Sequence, residues 1–473
     1  MTAKAIRRYY ILLNAINDTA YFGFFAIQFF LLHQTLEYLL SEGYVHALTL
    51  ILIASQLIWQ IPAEAVTGAI ADLYGRVVAI ALSFWFRFIA LVLIAISVVV
   101  NLSDRPSSAK QIMVGIFLIL AQMLFATGEA SLEGSIQAWL LDECKLADPE
   151  NHEEIARKTL GDSSVVQNVA ILASTSTFLT VFIYKNEWKI YLVLIPACLC
   201  FIGAVISHRL GEHEQFKRKI TTKKEDKSKF ISRIAQESKN IRLKLYDAYT
   251  LIFRKKDEAQ VRWLICVLIL PFPCWIMLSW FFTAFVMEKD EGANLLILGL
   301  GFGLGVARAI GAYIGKWWSN NINDEKRLYL IFDQSISFNI LSLGAIAIVL
   351  LIVSSLFGEN KPLAWMPALF VLLLFGLAKG SEEIVKLSKD KYLTELPDSD
   401  NRATSLSLVS VAQNAFGFIA IFLTALPISK LIRYEKQQTI VIFSVCALLS
   451  FIGWVIYRIV YREPESQASV VEN

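Results

Sequence analysis

Histidine is scarce in this chain, five among 473 residues, and that scarcity removes most metal and acid–base chemistry at the outset. The run His152-Glu153-Glu154 lacks the second histidine that a zinc-protease helix needs. The six cysteines (Cys144, Cys198, Cys200, Cys266, Cys274 and Cys446) include no C-x-x-C pair, so neither a disulfide framework nor a zinc site is expected. No G-x-x-x-x-G-K-S/T loop is present, which excludes P-loop ATP hydrolysis by this chain. The glycine run from Gly299 to Gly305 lies inside an apolar stretch with no strand before it, so it reads as close helix packing rather than a dinucleotide loop. An enzyme is not expected, nor a cofactor or a metal.

Charge is sparse as well. Charged residues make up 18% of the chain against 56% hydrophobic, and a mean hydropathy of +0.54 leaves too little polar surface for a water-soluble protein. The 44 Lys and Arg nearly balance the 41 Asp and Glu, and the basic residues form no recognition face for nucleic acid. Runs of about twenty apolar residues begin near Tyr9, Ala47, Val77, Gln111, Ser163, Trp188, Trp263, Ala293, Leu328, Leu363, Thr404 and Gln438. An all-α integral membrane protein of roughly twelve spans is the expected class.

Lys and Arg crowd the loops on one side, with none between His33 and His46 on the other. The positive-inside rule then puts both termini in the cytoplasm and the chain in the cell (inner or plasma) membrane. Lys4, Arg7 and Arg8 precede a long apolar run that contains Asp18 and no small-x-small cleavage site, so this is an uncleaved first span. The hydrophilic stretch from His208 to Arg262 divides two sets of six spans. The expected domains are residues 1–207, a cytoplasmic linker at 208–262, a second bundle at 263–461 and a tail at 462–473. Within the linker, Phe230, Ile234, Ile241, Leu245 and Ile252 recur among basic residues at near-helical spacing, the pattern of an amphipathic helix on the inner leaflet.

An internal repeat supports the division. Ser164-Val165-Val166-Gln167-Asn168 in span 5 reappears as Ser410-Val411-Ala412-Gln413-Asn414 in span 11. Between spans 2 and 3 lies Gly68-Ala69-Ile70-Ala71-Asp72-Leu73-Tyr74-Gly75-Arg76, read as a tight turn whose two glycines reverse the backbone while Asp72 and Arg76 bond at the interface. Gly311-Ala312-Tyr313-Ile314-Gly315-Lys316 echoes it without the acid or the final arginine.

The Gly68 to Arg76 segment resembles the G-x-x-x-D-x-x-G-R loop of the major facilitator superfamily. The span 4 ending, Glu133 to Glu143, and the span 11 start, Arg402-Ala403-Thr404-Ser405-Leu406-Ser407, are similar to those of bacterial and exporter-like members. The resemblance implies two six-helix bundles around a cavity open alternately to either side. It also implies a cytoplasmic latch of Gly68, Asp72, Gly75, Arg76, Asp142 and Arg402, with Asp72 facing a span 11 N-terminus capped by Asp400 or Asn401. Contacts of this kind are worth about 0.3–2 kcal/mol, enough to bias two conformations and weak enough to release.

Ionisable residues inside spans are the second functional signal, because each costs about 2.5–3.5 kcal/mol at a helix centre unless paired or facing water. Asp18, Arg87, Glu129, Glu133, Arg308, Lys379, Glu382 and Glu383 fall at such depths. Glu129, Glu133 and Gln137 share one helical face of span 4, and Lys379 and Glu383 one face of span 10. An acidic face is expected to confront a Lys–Glu face across the cavity, with Glu133, Glu129 and Asp18 as proton-coupling candidates, relieved by Lys379 or a cationic substrate. Arg87 lies on span 3, a peripheral position by the resemblance, and is read as a structural pairing. The cavity candidates are Asn14, Asn17, Gln137, Gln167, Asn168, Gln413, Asn414, Lys379, Glu383 and the aromatic faces Trp275 and Trp280 beyond Pro271 and Pro273.

The function these features imply is secondary active transport, as a proton-coupled exporter of a small amphipathic or cationic compound. Two alternatives stand beside it: a proton-coupled importer of a nutrient or metabolite, and a non-transporting scaffold, receptor or lipid-handling protein. The expected partners are a small-molecule substrate, protons and membrane lipid, with the chain a monomer and no nucleic acid bound.

Overall fold

Apolar stretches of this length have one way to satisfy their peptide groups in a bilayer, the α-helix. A computed structural model describes residues 2–37, 45–101, 108–132, 135–184, 188–213, 325–357, 399–432 and 435–461, with short pieces within 267–277, 306–314 and 373–385. The helices are α1 (Ala3–Glu37), α2 (Val45–Tyr74), α3 (Arg76–Asn101), α4 (Ser108–Leu132), α5 (Ser135–Ala147), α6 (His152–Tyr184), α7 (Lys189–His213), α8 (Glu325–Phe357), α9 (Ser399–Leu431) and α10 (Glu435–Tyr461). In span numbering α4 and α5 together are span 4, α6 and α7 are spans 5 and 6, and α8, α9 and α10 are spans 9, 11 and 12.

Eight of the described helical stretches are long and apolar enough to cross a membrane. Helix α1, 35 residues long, is not among them, because Asn14, Asn17, Asp18, Gln28 and His33 dilute its hydropathy; all five are buried within the protein. Spans 7, 8 and 10 are described only in pieces. Pro62, Pro196 and Pro427 lie inside α2, α7 and α9. Serine and threonine side chains bond back to helical carbonyls nearby, as Thr67 does to Ala63 at 2.9 Å and Ser207 to Gly203 at 2.8 Å.

Paired contacts fix the direction of each helix against its neighbours. Arg7 meets Asp162 at 2.5 Å and, farther along both helices, Gly23 lies against the Phe178 ring, so α1 and α6 run parallel. Gln28 bonds Gln122 at 3.0 Å while Phe24 stacks on Phe125, which makes α1 and α4 antiparallel. Gln56 bonds Gln122 and Trp59 bonds Thr127, so α2 and α4 are parallel. Val77 lies by Gly211 and Phe84 by Gly203, so α3 and α7 are antiparallel; Asp333–Arg458 and Ser337–Trp454 give the same relation for α8 and α10. Spans 1 and 5 thus share one direction and spans 2 and 4 the other, and spans 3 and 6, like spans 9 and 12, oppose each other, as a chain stitched through a membrane requires.

Two expectations about helix ends change. The Gly68 to Arg76 segment is not a two-glycine turn: α2 stays helical through Tyr74, and the reversal falls on Gly75 alone, at φ 103°. Its N–H still donates to Ala71 at 3.0 Å and its carbonyl accepts from Ala79 at 3.3 Å, so one left-handed residue joins two helices almost without a loop. Asp400 and Asn401 do not cap α9 but lie in its first turn, after Ser399. Helix α7 runs on to His213, into the stretch assigned to the linker, and the rest of that stretch with its expected amphipathic helix lies outside the described residues. Between α5 and α6, Asp148 accepts from the Asn151 N–H at 3.1 Å, and these Asn151 bonds hold its carboxyl below the usual range.

Candidate functional site

Arg87 is the largest fully buried side chain of the described protein, 1% exposed. It stands eleven residues into α3, about 16 Å from the Arg76 end, which is mid-bilayer. Its Nη2 donates to Glu129 of α4 in a short ion pair, and its guanidinium lies over the Tyr21 ring of α1, 5.4 Å from the centroid. The stem runs past Gly128, where an added Cβ would sit 2.8 Å from Arg87 Cγ. Arg87 Nε and Nη1 have no hydrogen-bond partner among the described residues. The Glu129 carboxylate is 36% exposed, and a charge at this depth is stable only toward water or a partner. One side of Glu129 is therefore tied to Arg87, and the other is open.

The helix registers extend this pair into a layer. Continued by less than two turns from Phe24–Phe125 and Trp59–Thr127, they bring Asp18 of α1 and Glu64 of α2 level with Glu129 to Ser131 of α4. Three carboxylates and one arginine from four helices thus share one depth. Glu64 is a member that sequence reading missed, since it lies at the end of an apolar window and has no helical-face partner to mark it. Asp18 accepts from Asn17 Nδ2 at 2.9 Å, and Asn14 donates to the Tyr10 carbonyl at 2.8 Å. The α1–α6 register sets Asn14 level with the buried Asn168 of α6, beside the half-buried Gln167.

The expected stripe on span 4 is described only in part. Glu129 finds its countercharge in Arg87 of span 3 rather than in Lys379, because α3 crosses α4 at the close approach that Gly128 permits. Gln137 sits on α5 as an exposed residue, and Glu133 lies outside the described residues. Arg87 itself is paired, as expected, though it joins helices at the centre of the bundle.

In the second half, Lys379 pairs with Glu382 at 2.5 Å, one turn along the same helix, and Glu383 lies outside the described residues. Trp275 donates its indole N–H to Asn339 of α8 at 2.7 Å; Trp280 lies outside the described residues. Gln413 and Asn414 of α9 are both buried, and Asn414 Nδ2, like Asn17 Oδ1, has no partner among the described residues.

Asn339, fully buried, also donates to the Ala378 carbonyl at 2.9 Å and to Ser381 Oγ at 2.8 Å. It joins spans 7, 9 and 10 just as Arg87 joins spans 1, 3 and 4. The separation from Arg87 to Glu129 and from Asn339 to Ser381 is the same, 42 residues. Ala126-Thr127-Gly128-Glu129 matches Ala378-Lys379-Gly380-Ser381, an A-x-G repeat that was legible in the sequence. A second buried polar cluster, Gln28, Gln56 and Gln122, joins α1, α2 and α4; nothing in the spacing of three single glutamines announces it.

At the opposite ends of these helices, Arg76 pairs with Asp142 of α5 at 3.1 Å, both partly exposed. Helix α2 packs along α9 across the two halves. Helix α2 carries Gly68 and Asp72 and helix α9 carries Arg402; the side chains of Asp72 and Arg402 lie outside the described residues.

The eight long apolar helices among the described residues define an integral membrane protein with several spans. No protein-family model and no curated protein matches the sequence. Solved structures match its fold. The xylose transporter XylE from E. coli, in a partially occluded inward open conformation, gives a TM-score of 0.62 at 13% identity over 96% of this chain and 97% of that one. The POT family transporter PepTSo gives 0.65 at 13% identity over 98% and 99%, and the nucleoside transporter NupG 0.61 at 11% over 96% and 100%. The chain shares the fold of these transporters, the major facilitator fold that its sequence resembles, and eight helical stretches among its described residues are long and apolar enough to be transmembrane.

Proposed function

We propose that this protein is a secondary active transporter, moving a small organic molecule by alternating access and coupled to protons. The observation that carries this reading is the mid-membrane layer of Asp18, Glu64, Arg87 and Glu129 with its open Glu129 carboxylate. Charges at that depth are costly, and a scaffold gains nothing from them. Glu129, Asp18 and Glu133 are the proton sites. Asn14, Asn17, Gln167, Asn168, Gln413 and Asn414 line the solute path, supported by the unspent polar atoms of Asn17 and Asn414. Gln137, Trp275, Trp280, Lys379 and Glu383 complete the candidate lining. Gly68, Asp72, Gly75, Arg76, Asp142 and Arg402 form the latch at the cytoplasmic face, where Arg7–Asp162 and Asp333–Arg458 also lie.

The carboxylates of this layer favour a cationic or amphipathic solute that competes with protons, hence export by antiport. Import by symport is the second reading, and a solved neighbour with 13% identity is a D-xylose–proton symporter. The protein works as a monomer with both termini cytoplasmic and residues 208–262 as a cytoplasmic linker between its halves. Uptake and efflux of a compound panel in vesicles with an imposed pH gradient test the proposal. Accumulation of a solute against its gradient supports it, and the sign of the gradient needed tells antiport from symport. Transport indifferent to the gradient removes proton coupling.

A further inference from the structure

The two polar joints occupy equivalent places in the two bundles but differ in one property. The N-terminal joint is ionic, with Arg87 to Glu129 and the guanidinium over Tyr21. The C-terminal joint is neutral and every hydrogen-bonding atom of the Asn339 amide has a partner in it except for the second lone pair of Oδ1. Protonation can dismantle the first by removing the negative charge from Glu129, which leaves a buried guanidinium with two nitrogens that have no partner among the described residues. No change of pH near neutrality alters an amide, a hydroxyl and an indole.

We propose that the Arg87–Glu129–Tyr21 joint is a proton-operated clasp between spans 1, 3 and 4, and that Asn339–Ser381–Trp275 is its permanently closed counterpart. Arg87 is a positioning residue in this arrangement: it holds the Glu129 carboxylate and transmits the loss of its charge to α3 and α1. The inference rests on the proton coupling proposed above, and it adds the moving part and the half of the protein in which it lies. Among the described residues, the ionisable groups around Arg87 are Tyr21 and, level with it, Asp18 on α1; Glu64 on α2; Glu129 on α4; and the Cys200 thiol, within electrostatic reach on α7. Helix α5 contributes Asp142, which is engaged by Arg76 at the membrane face.

The test needs no solute. The full chain in lipid nanodiscs is titrated while the carboxyl C=O band is read by infrared difference spectroscopy, and amide hydrogen exchange is followed for peptides covering 83–90 and 126–132 and, in the other half, 336–342 and 376–382. The expected result is a band that is lost in Glu129→Gln, together with at least a severalfold faster exchange of the first two peptides below the band's midpoint, after correction for the intrinsic pH dependence. In a background of Glu382→Gln and Asp333→Asn, which breaks the Lys379–Glu382 pair inside the second peptide and the Asp333–Arg458 pair that reaches Ser337 in the first, the 336–342 and 376–382 peptides should not respond. Arg87→Asn, which removes the guanidinium, should uncouple the exchange of 83–90 from the band, while Arg87→Lys should restore much of that coupling, a rescue that a packing role alone does not predict. If Arg87→Asn does not fold, Glu129→Gln and Arg87→Lys carry the same test. A band that survives Glu129→Gln, or joints that respond alike or not at all, overturns the proposal. Transport that proves independent of protons while the clasp titrates as described defeats the functional reading and leaves the clasp standing.

Discussion

Gly75 is the sharpest place to perturb this fold, because a single left-handed residue connects α2 to α3. With φ at 103°, a Cβ at this position meets the following carbonyl, at a cost of about 1–2 kcal/mol. That is a factor of roughly 5–30 in the folded-to-unfolded ratio. Gly75→Ala should therefore lower stability by about that amount, and Gly75→Val by more because of its branched Cβ. Gly75→Asn should lose less, because asparagine tolerates the left-handed region. Gly68 supplies the control. It sits within α2, where replacing glycine by alanine favours the helix by up to about 1 kcal/mol, so Gly68→Ala should be neutral or stabilising. Thermal unfolding in detergent, followed by tryptophan fluorescence, separates the two, with shifts of roughly 1–3 °C expected in a chain this long. A Gly68→Ala loss as large as that of Gly75→Ala would restore the two-glycine turn, and a neutral Gly75→Ala would refute the strain argument.

Three further outcomes follow from particular contacts. A Cβ on Gly203 would lie 2.6 Å from the buried Phe84 ring, so Gly203→Ala should cost about 1–3 kcal/mol, and a second change, Phe84→Leu, should recover part of it in the same unfolding assay. Gln122→Leu strands the Gln28 and Gln56 amides; a loss of about 1–3 kcal/mol is expected for each buried group left unsatisfied, checked by comparing the single variant with Gln28→Leu/Gln56→Leu/Gln122→Leu, which should be milder. Asp142→Asn removes the partner of Arg76 at a half-exposed site, so its effect on stability should stay within about 1 kcal/mol; thiol labelling of cysteines placed in the cytoplasmic cavity should nevertheless rise as the latch loosens, and unchanged labelling would remove Asp142 from it.

The fold class was legible because membrane solubility is written in composition and run length, and neither depends on tertiary contacts. The Gln-Asn repeat of spans 5 and 11 and the glycine motif were legible for the same reason: they are local. What the sequence concealed was pairing between helices. Glu129 looked like a partner for Glu133 and Gln137 because helical spacing is the only neighbour relation a sequence shows. Its bonded neighbour, Arg87, is set by the α3–α4 crossing at Gly128. Asn339 was passed over since a lone amide in an apolar span carries no periodic signal; its role appears only when Trp275 and Ser381 are brought to it. The A-x-G repeat around Gly128 and Gly380 was available, but three residues separated by so much chain gain meaning only once both glycines are seen at helix crossings.

The central claim is that protons and solute exchange through the N-terminal polar layer. Proteoliposomes loaded with a pH-sensitive dye measure it directly: a transported solute is added without any imposed gradient, and the internal pH is read as the solute moves. A pH change is expected in the wild-type protein, its sign giving antiport or symport, and its loss in Glu129→Gln or Asp18→Asn with solute exchange retained. Solute crossing with no accompanying proton movement would contradict it.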